Sequence, residues 1–213
     1  MTKAIYLLGA GGHGRVVLDA LVESKMQVTG VLDMGLKSGE EVFGVKVLGG
    51  DEFLDEVLAE ESLLVNGLGS NPNTLNRQRI FVEMKKRGFK FLLFAHPSAV
   101  IGRENQIGEG CQIMAGAVLQ CRIEISENVV INTSASVDHD CKIGSHAFIS
   151  PGSVLCGNVS IGELTFIGAG SVIMPGINIG KNSIVGAGSV VTKNVPNGWT
   201  VKGNPAVKKM RNY

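Results

Sequence analysis

The sequence predicts an α/β half followed by a parallel β-helix. Two observations carry that prediction. Residues 1–95 alternate apolar, strand-like runs with amphipathic, helix-like ones. Residues 96–213, beginning at His96-Pro97, follow a period of six instead. A third observation fits both: 29 glycines beside 5% aromatic residues suit a chain that turns often around a thin aliphatic core.

In the first half KAIYLLGA is an apolar strand ending in glycine, and GRVVLDALVES is a helix with Val16, Val17, Ala20 and Leu21 on one face. VTGVLD and LLVNGLG are further strands. TLNRQRIFVEMKKRG is a second helix ended by Gly88, and FKFLLF is a strand leading out. Strands alternating with helices imply a parallel sheet. This is a Rossmann-like half-domain.

In the second half, stepping by six from Ile101 to Val191 meets sixteen positions, and all are Ile, Leu or Val. Four residues after each anchor comes a mostly small or apolar residue, as at Cys111, Ala117, Val129, Ala135, Cys141, Ala147, Ser153, Ser171, Ser183 and Ser189. A helix needs a period near 3.6 and a simple strand a period of 2. A sustained period of six indicates a hexapeptide β-helix, in which each hexad forms one short strand and one corner. Anchors stack inside. Glycines directly after the anchor, such as Gly144, Gly162, Gly168 and Gly180, are expected to relieve corners with positive φ. Cys111 and Cys141 fall on inward positions.

Composition excludes several classes. A formal net charge of +1 makes no electrostatic case for nucleic acid or an anionic membrane. No apolar run approaches the roughly 20 residues of a membrane span, and MTKAIYLLGAGGHG does not read as a signal peptide. The four cysteines show no C-x-x-C spacing, which disfavours a disulfide framework or a metal site and fits a reducing cytoplasm.

Within the hexad register VDHDC places His139 at an outward corner, between Asp138 and Asp140. A carboxylate beside an imidazole orients it and raises its basicity. Asn132 replaces a common glycine one hexad earlier, and Gly157 lies 18 residues on, one coil above, leaving a slot over the ring. Ala169 and Ala187 are small residues 18 apart on another corner line. This arrangement suits general-base catalysis, taking a proton from an amine or hydroxyl that attacks a thioester. The alternative for His139 is a solvated corner side chain.

The loop Gly9-Ala10-Gly11-Gly12-His13-Gly14 follows a strand and opens a helix, a place where backbone N–H groups cradle phosphate. Asp33 closes the next strand, 19 residues after Gly14. An α/β part about half the length of a two-lobed dinucleotide fold favours a mononucleotide-diphosphate site. His13 as a helix-start residue and Gly69 as a strand-end turn are the plain alternatives.

GAGGHG, the hexads, INTSASVDHDCKIG and the terminal GNPAVKKM together resemble the sialic acid O-acetyltransferase type family of hexapeptide-repeat sugar acetyltransferases. The resemblance spans essentially the whole chain. It implies a left-handed parallel β-helix, a homotrimer, and acetyl-CoA as co-substrate in grooves between neighbours, without a metal. It implies His139 as base assisted by Asp140, and Gly11, Gly12, His13, Asp33 and Gly69 around a nucleotide-linked amino sugar. The expected acetyl-CoA groove comprises Asn132, Gly157, Ala169 and Ala187. A histidine that contacts the coenzyme in some relatives falls at Phe148. The implied reaction is acetylation of the 4-amino group of a nucleotide-linked 4-amino-4,6-dideoxy sugar. Sialic acid O-acetylation and non-catalytic nucleotide-sugar binding are the alternatives. KKMRNY reads as a solvated tail, or else as a contact for the coenzyme's phosphates, and Trp199 is expected against the last coil.

Overall fold

A computed structural model describes residues 3–211, and counts here refer to those residues. The chain divides into two compact units, Met1–Gly69 with Asn76–Leu92, and Ser70–Leu75 with Leu93–Tyr213.

The first unit is a six-stranded sheet with two helices. In chain order its elements are β1 (Ala4–Leu8), α1 (Gly12–Glu23), β2 (Gly30–Leu32), β3 (Glu41–Val42), β4 (Val45–Gly49), β5 (Ser62–Asn66), α2 (Leu75–Lys86, its first residue grouped with the second unit) and β6 (Lys90–Phe91). The sheet order is β3-β4-β2-β1-β5-β6, parallel except for the β3–β4 hairpin. Helix α1 buries Val17, Leu18, Ala20 and Leu21, whereas Val16 is half exposed. The apolar face is therefore turned by one residue from the expected one, with Leu18 in place of Val16. Tyr6, Leu8, Leu32, Leu54, Leu64, Phe81, Met84 and Phe91 form one core, with the Phe81 and Phe91 rings 4.4 Å apart.

The second unit is a coil of three parallel faces built from two-residue strands, each paired with the strand 18 residues on, as Val137 with Leu155. Fourteen of the sixteen anchors, Ile113 to Val191, are buried. Ile107 is only partly covered and Ile101 is 40% exposed, because no coil lies beneath the first turn. The small inward positions are buried too, and their polar atoms are satisfied. Ser153 Oγ donates to the Gly168 carbonyl at 3.0 Å, Ser171 Oγ to Gly186 at 2.9 Å, and Cys141 Sγ to Cys156 at 3.2 Å. A buried hydroxyl without such an acceptor would cost its full desolvation.

The corners correct the expectation about glycine. Positive φ falls at the third corner residue, at every corner from Glu104 to Gly188, and not at the glycine after the anchor. From Arg122 to Gly188 each such N–H donates to a carbonyl of the coil below, as Asp140 to Cys121 at 3.2 Å and Asn158 to His139 at 2.9 Å. That ladder holds even Arg122 (φ 58°) and Leu164 (φ 59°) in a region that L-residues disfavour. Glycine after the anchor serves close approach instead: a Cβ at Gly162 would lie 2.5 Å from the Lys181 nitrogen.

FKFLLF splits. Lys90–Phe91 joins the first unit's sheet, and Phe94–Ala95 starts a face of the β-helix. Thr74 Oγ1 donates to the Leu164 carbonyl at 3.1 Å, which ties the 70–75 segment to the second unit. The C-terminal segment is a strand rather than a loose tail as far as Arg211, since Val207–Arg211 pairs antiparallel with Trp199–Lys202, while Lys208, Lys209 and Met210 stay exposed to solvent. Asn212 and Tyr213 lie outside the described residues. Trp199 packs on the last coil, with Lys208 Nζ 5.1 Å from its ring centroid.

Candidate active site

Strand Ser136–Val137 runs into the corner Asp138–His139–Asp140. The corner is fixed from both sides: Asp138 Oδ1 accepts the His139 N–H at 2.8 Å, and the His139 carbonyl accepts from Asn158 at 2.9 Å. Asp140 sits at φ 59°, a conformation Asp tolerates better than most residues. This turn brings its Oδ2 to 2.7 Å from His139 Nδ1. Its other oxygen meets Arg122 Nη2 at 2.7 Å, from the coil below.

The bond to His139 first, and that to Arg122 second, hold the Asp140 carboxyl below the usual carboxylate range. An ionised carboxylate only accepts, so Nδ1 carries the imidazole proton and Nε2 presents a lone pair. The imidazole is 53% exposed. A Cβ at Gly157 would stand 2.6 Å from Nε2 and 2.8 Å from Cε1. Only glycine leaves the reactive edge open. The structure thus brings together His139, Asp140 and Gly157.

Asn132, Ala169 and Ala187 stand on the neighbouring corner line, across strand Ser136–Val137 from His139. Asn132 Oδ1 accepts from the Thr133 N–H at 2.8 Å. Ala169 and Ala187 are exposed, one coil apart. Within one chain these three do not meet His139. Phe148 is buried on the adjacent face and stacks on Phe166, with centroids 5.8 Å apart.

In the first unit, Gly9 turns the chain at φ 84° between β1 and α1. The loop is pressed against its neighbours: a Cβ at Gly14 would lie 2.1 Å from the Gly9 oxygen, and one at Gly67 would lie 2.2 Å from the same atom. Gly11 and Gly12, by contrast, have nothing within 4 Å of a built Cβ, and Gly11 N-caps α1 without a side-chain bond. Gly69 lies beside His13, whose Cβ would be 3.0 Å from one added there. Gly11, Gly12, His13 and Gly69 therefore share one open end of the sheet. Asp33 supports this loop from behind, its Oδ2 accepting from Ala10 N–H at 2.6 Å and its Oδ1 from Gly35 N–H at 2.8 Å.

Two features, one in each unit, escaped the sequence reading. Fully buried Arg77 donates from Nη1 to the carbonyls of Asn66 and Leu68, at 2.7 and 2.9 Å, and so shapes the loop that carries Gly69. Its signal was an arginine on the buried i, i+4, i+7 face shared with Phe81 and Met84. Arg122 was missed as well, although its 18-residue offset from Asp140 is readable once the coil length is known. Among the described residues no group of three or more His, Cys, Asp or Glu could hold a metal ion, and no helix is long and apolar enough to cross a membrane.

An oriented imidazole on a hexapeptide corner, together with an open glycine loop at a helix start, defines an acyltransferase type of protein. Comparison with known proteins specifies it further. Residues 4–84 match the PglD N-terminal domain, residues 122–157 the bacterial transferase hexapeptide (six repeats), and residues 158–193 the hexapeptide repeat of succinyl-transferase. PerB from Caulobacter crescentus, solved with CoA and GDP-perosamine, is 34% identical over 99% of both chains, with a TM-score of 0.90. The acetyltransferase domain of PglB from Neisseria gonorrhoeae, solved with acetyl coenzyme A, is 32% identical over 98% of this chain and 100% of that one, at 0.89. WeeI from Acinetobacter baumannii is 32% identical over 98% and 100%, at 0.86. The chain belongs to the family of hexapeptide-repeat sugar acetyltransferases with a PglD-type N-terminal domain and a left-handed β-helix.

Proposed function

We propose that this chain transfers the acetyl group of acetyl-CoA to the 4-amino group of a nucleotide-linked 4-amino-4,6-dideoxy sugar, with His139 as general base. One observation carries the reading: Nδ1 of His139 is committed to Asp140, and Nε2 opens over Gly157. The CoA and GDP-perosamine found with PerB support the same pairing of co-substrate and amino sugar.

The amine nitrogen attacks the thioester carbonyl carbon and forms the new N–C bond. Nε2 accepts the amine proton as that bond forms. Backbone N–H groups stabilise the oxyanion. Collapse breaks the C–S bond, and the imidazolium returns its proton to the departing sulfur. Asp140 keeps the ring in the tautomer that accepts and supports the positive charge.

Gly11, Gly12, His13 and Gly69 would hold the sugar nucleotide in the first unit, its diphosphate on the backbone N–H groups at the start of α1. Asp33 would act near the base, through the loop that it braces. Gly157, with Asn132, Ala169 and Ala187, would line the acetyl-CoA groove. The corner of the last three lies apart from His139 in one chain, which supports a homotrimer whose neighbours complete each groove. The outer residues of the face between those corners, Val100, Val118, Ser136, Val154, Val172 and Val190, support it too: five of the six are valine, and Val100 is 60% exposed. The outer residues of another face are Gln106, Glu124, Lys142, Ser160 and Asn178. Four free cysteines favour a cytoplasmic setting.

Product analysis by mass spectrometry and NMR tests the reaction. Acetylation at the sugar N4 by wild type, and none by His139→Ala, is expected. Acetyl transfer to a sialic acid hydroxyl instead would move the chain to O-acetylation.

A further inference from the structure

Arg122 and Asp140 occupy the same corner position one coil apart, at φ 58° and 59°. The same line carries Glu104 below them and Asn158 above. The Arg122 guanidinium touches one Asp140 oxygen at 2.7 Å while the other oxygen touches His139 Nδ1 at 2.7 Å. The carboxylate is thereby held at both ends by charge-assisted bonds, the strong kind of hydrogen bond. With one end free, its side chain would rotate about two bonds at an exposed corner.

We propose that Arg122 is a positioning residue for the acetyl transfer, acting through Asp140 to fix the ring and tautomer of His139. The inference rests on the reading of His139 as base. Arg122 has a second effect of predictable sign. Its positive charge offsets that of Asp140, so the pair presents little net charge to the imidazole. Without it, Asp140 stands uncompensated and favours the imidazolium, which cannot accept a proton.

The surrounding ionisable groups leave this assignment intact. Asp138 turns an oxygen to the backbone N–H of His139. Glu124 and Lys142, which line the same surface groove as Arg122, Asp140 and Asn158, pair with each other at 3.1 Å. Glu104 lies one coil below Arg122, and Cys121 and Cys156 are free cysteines. Arg122 is the cation on the Asp140 carboxylate. Its side chain is 61% exposed, so replacing it leaves the core untouched.

The test combines kinetics with histidine NMR on the full chain. In Arg122→Gln, kcat falls about 10-fold, less than loss of the base itself, while KM for acetyl-CoA and sugar stays within about twofold. The acid limb of the pH–rate profile moves to higher pH. Arg122→Lys, which keeps the charge, restores most of the position of that limb. In an Asp140→Asn background, Arg122→Gln adds no further loss. In 15N-histidine spectra, assigned with His139→Ala, wild type shows the Nδ1–H form of His139, and Arg122→Gln shows a mixture of tautomers. An unchanged tautomer in Arg122→Gln overturns the proposal, as does a fall in kcat with an unmoved acid limb. The spectra need no turnover. A His139→Ala variant as active as wild type therefore refutes the base assignment, and the tautomer comparison still decides the role of Arg122.

Discussion

A methyl group on Gly157 would stand 2.6 Å from Nε2 of His139, so the glycine and the imidazole edge form one structural unit across adjacent coils. The contact is with an exposed side chain, not backbone, so the ring can swing away at little cost in stability. Gly157→Ala therefore keeps its melting behaviour to within about 1 kcal/mol. Its kcat/KM falls about 100-fold, the scale expected for roughly 1 Å of misplacement. Thermal denaturation and steady-state kinetics on one preparation check both halves.

His139→Ala lowers kcat by about 10²- to 10⁴-fold, the usual contribution of a general base. Asp140→Asn tolerates the same left-handed corner but can also donate to Nδ1, which would stabilise the wrong tautomer. It should retain the fold and lose most of the rate. Circular dichroism beside stopped-time product assays separates these outcomes.

The glycine loop predicts two opposite results from one kind of change. Gly14→Ala would drive a Cβ to 2.1 Å from a backbone oxygen, and overpacking of that kind costs about 3 kcal/mol. Gly12→Ala meets open space at the first position of α1 and leaves stability unchanged or raised by about 0.5 kcal/mol. Its expected defect is a higher KM for the sugar nucleotide, with KM for acetyl-CoA unchanged. Equilibrium denaturation and initial rates for each substrate distinguish the two glycines.

Burial pushes the Cys141 thiol up to about 11. The unfolded chain ionises the same thiol near its ordinary value of about 8.5. As pH rises through that window the unfolded state sheds its proton first, so stability declines. Cys141→Ala, which matches Ala117, Ala135 and Ala147 on equivalent inward positions, flattens this alkaline decline. Thiol labelling at pH 8 should modify exposed Cys121 quickly and buried Cys111 and Cys141 only after unfolding.

The valine face predicts the state of assembly. Val154→Glu places a charge on the exposed apolar stripe and should convert the proposed trimer to a monomer in light scattering, with loss of activity. A wild type that is monomeric at micromolar concentration contradicts the trimer.

The β-helix was legible because one repeated constraint, an aliphatic anchor every six residues, leaves a linear trace. Its ends were less legible: Ile101 obeys the pattern yet is exposed, since burial there depends on a coil that does not exist. Glycine was read for a single role, whereas the fold uses it for two, left-handed corners and close approach. In the α/β half, helices and central strands were readable from periodicity. The β3–β4 hairpin was not, since its strands are short and half exposed. Among site residues, His139 and Asp140 announced themselves as neighbours in sequence. Arg122 and Arg77 reach their partners only through coil stacking or helix packing, which a local pattern does not display.

The most direct test of the central claim is release of the CoA thiol from acetyl-CoA, followed with a panel of UDP-, GDP- and dTDP-linked 4-amino sugars, CMP-sialic acid and free sialic acid, for wild type and His139→Ala. The account predicts turnover of at least one nucleotide-linked 4-amino sugar by wild type and its loss in His139→Ala. Equal turnover by both proteins, or release with sialic acid alone, would contradict it.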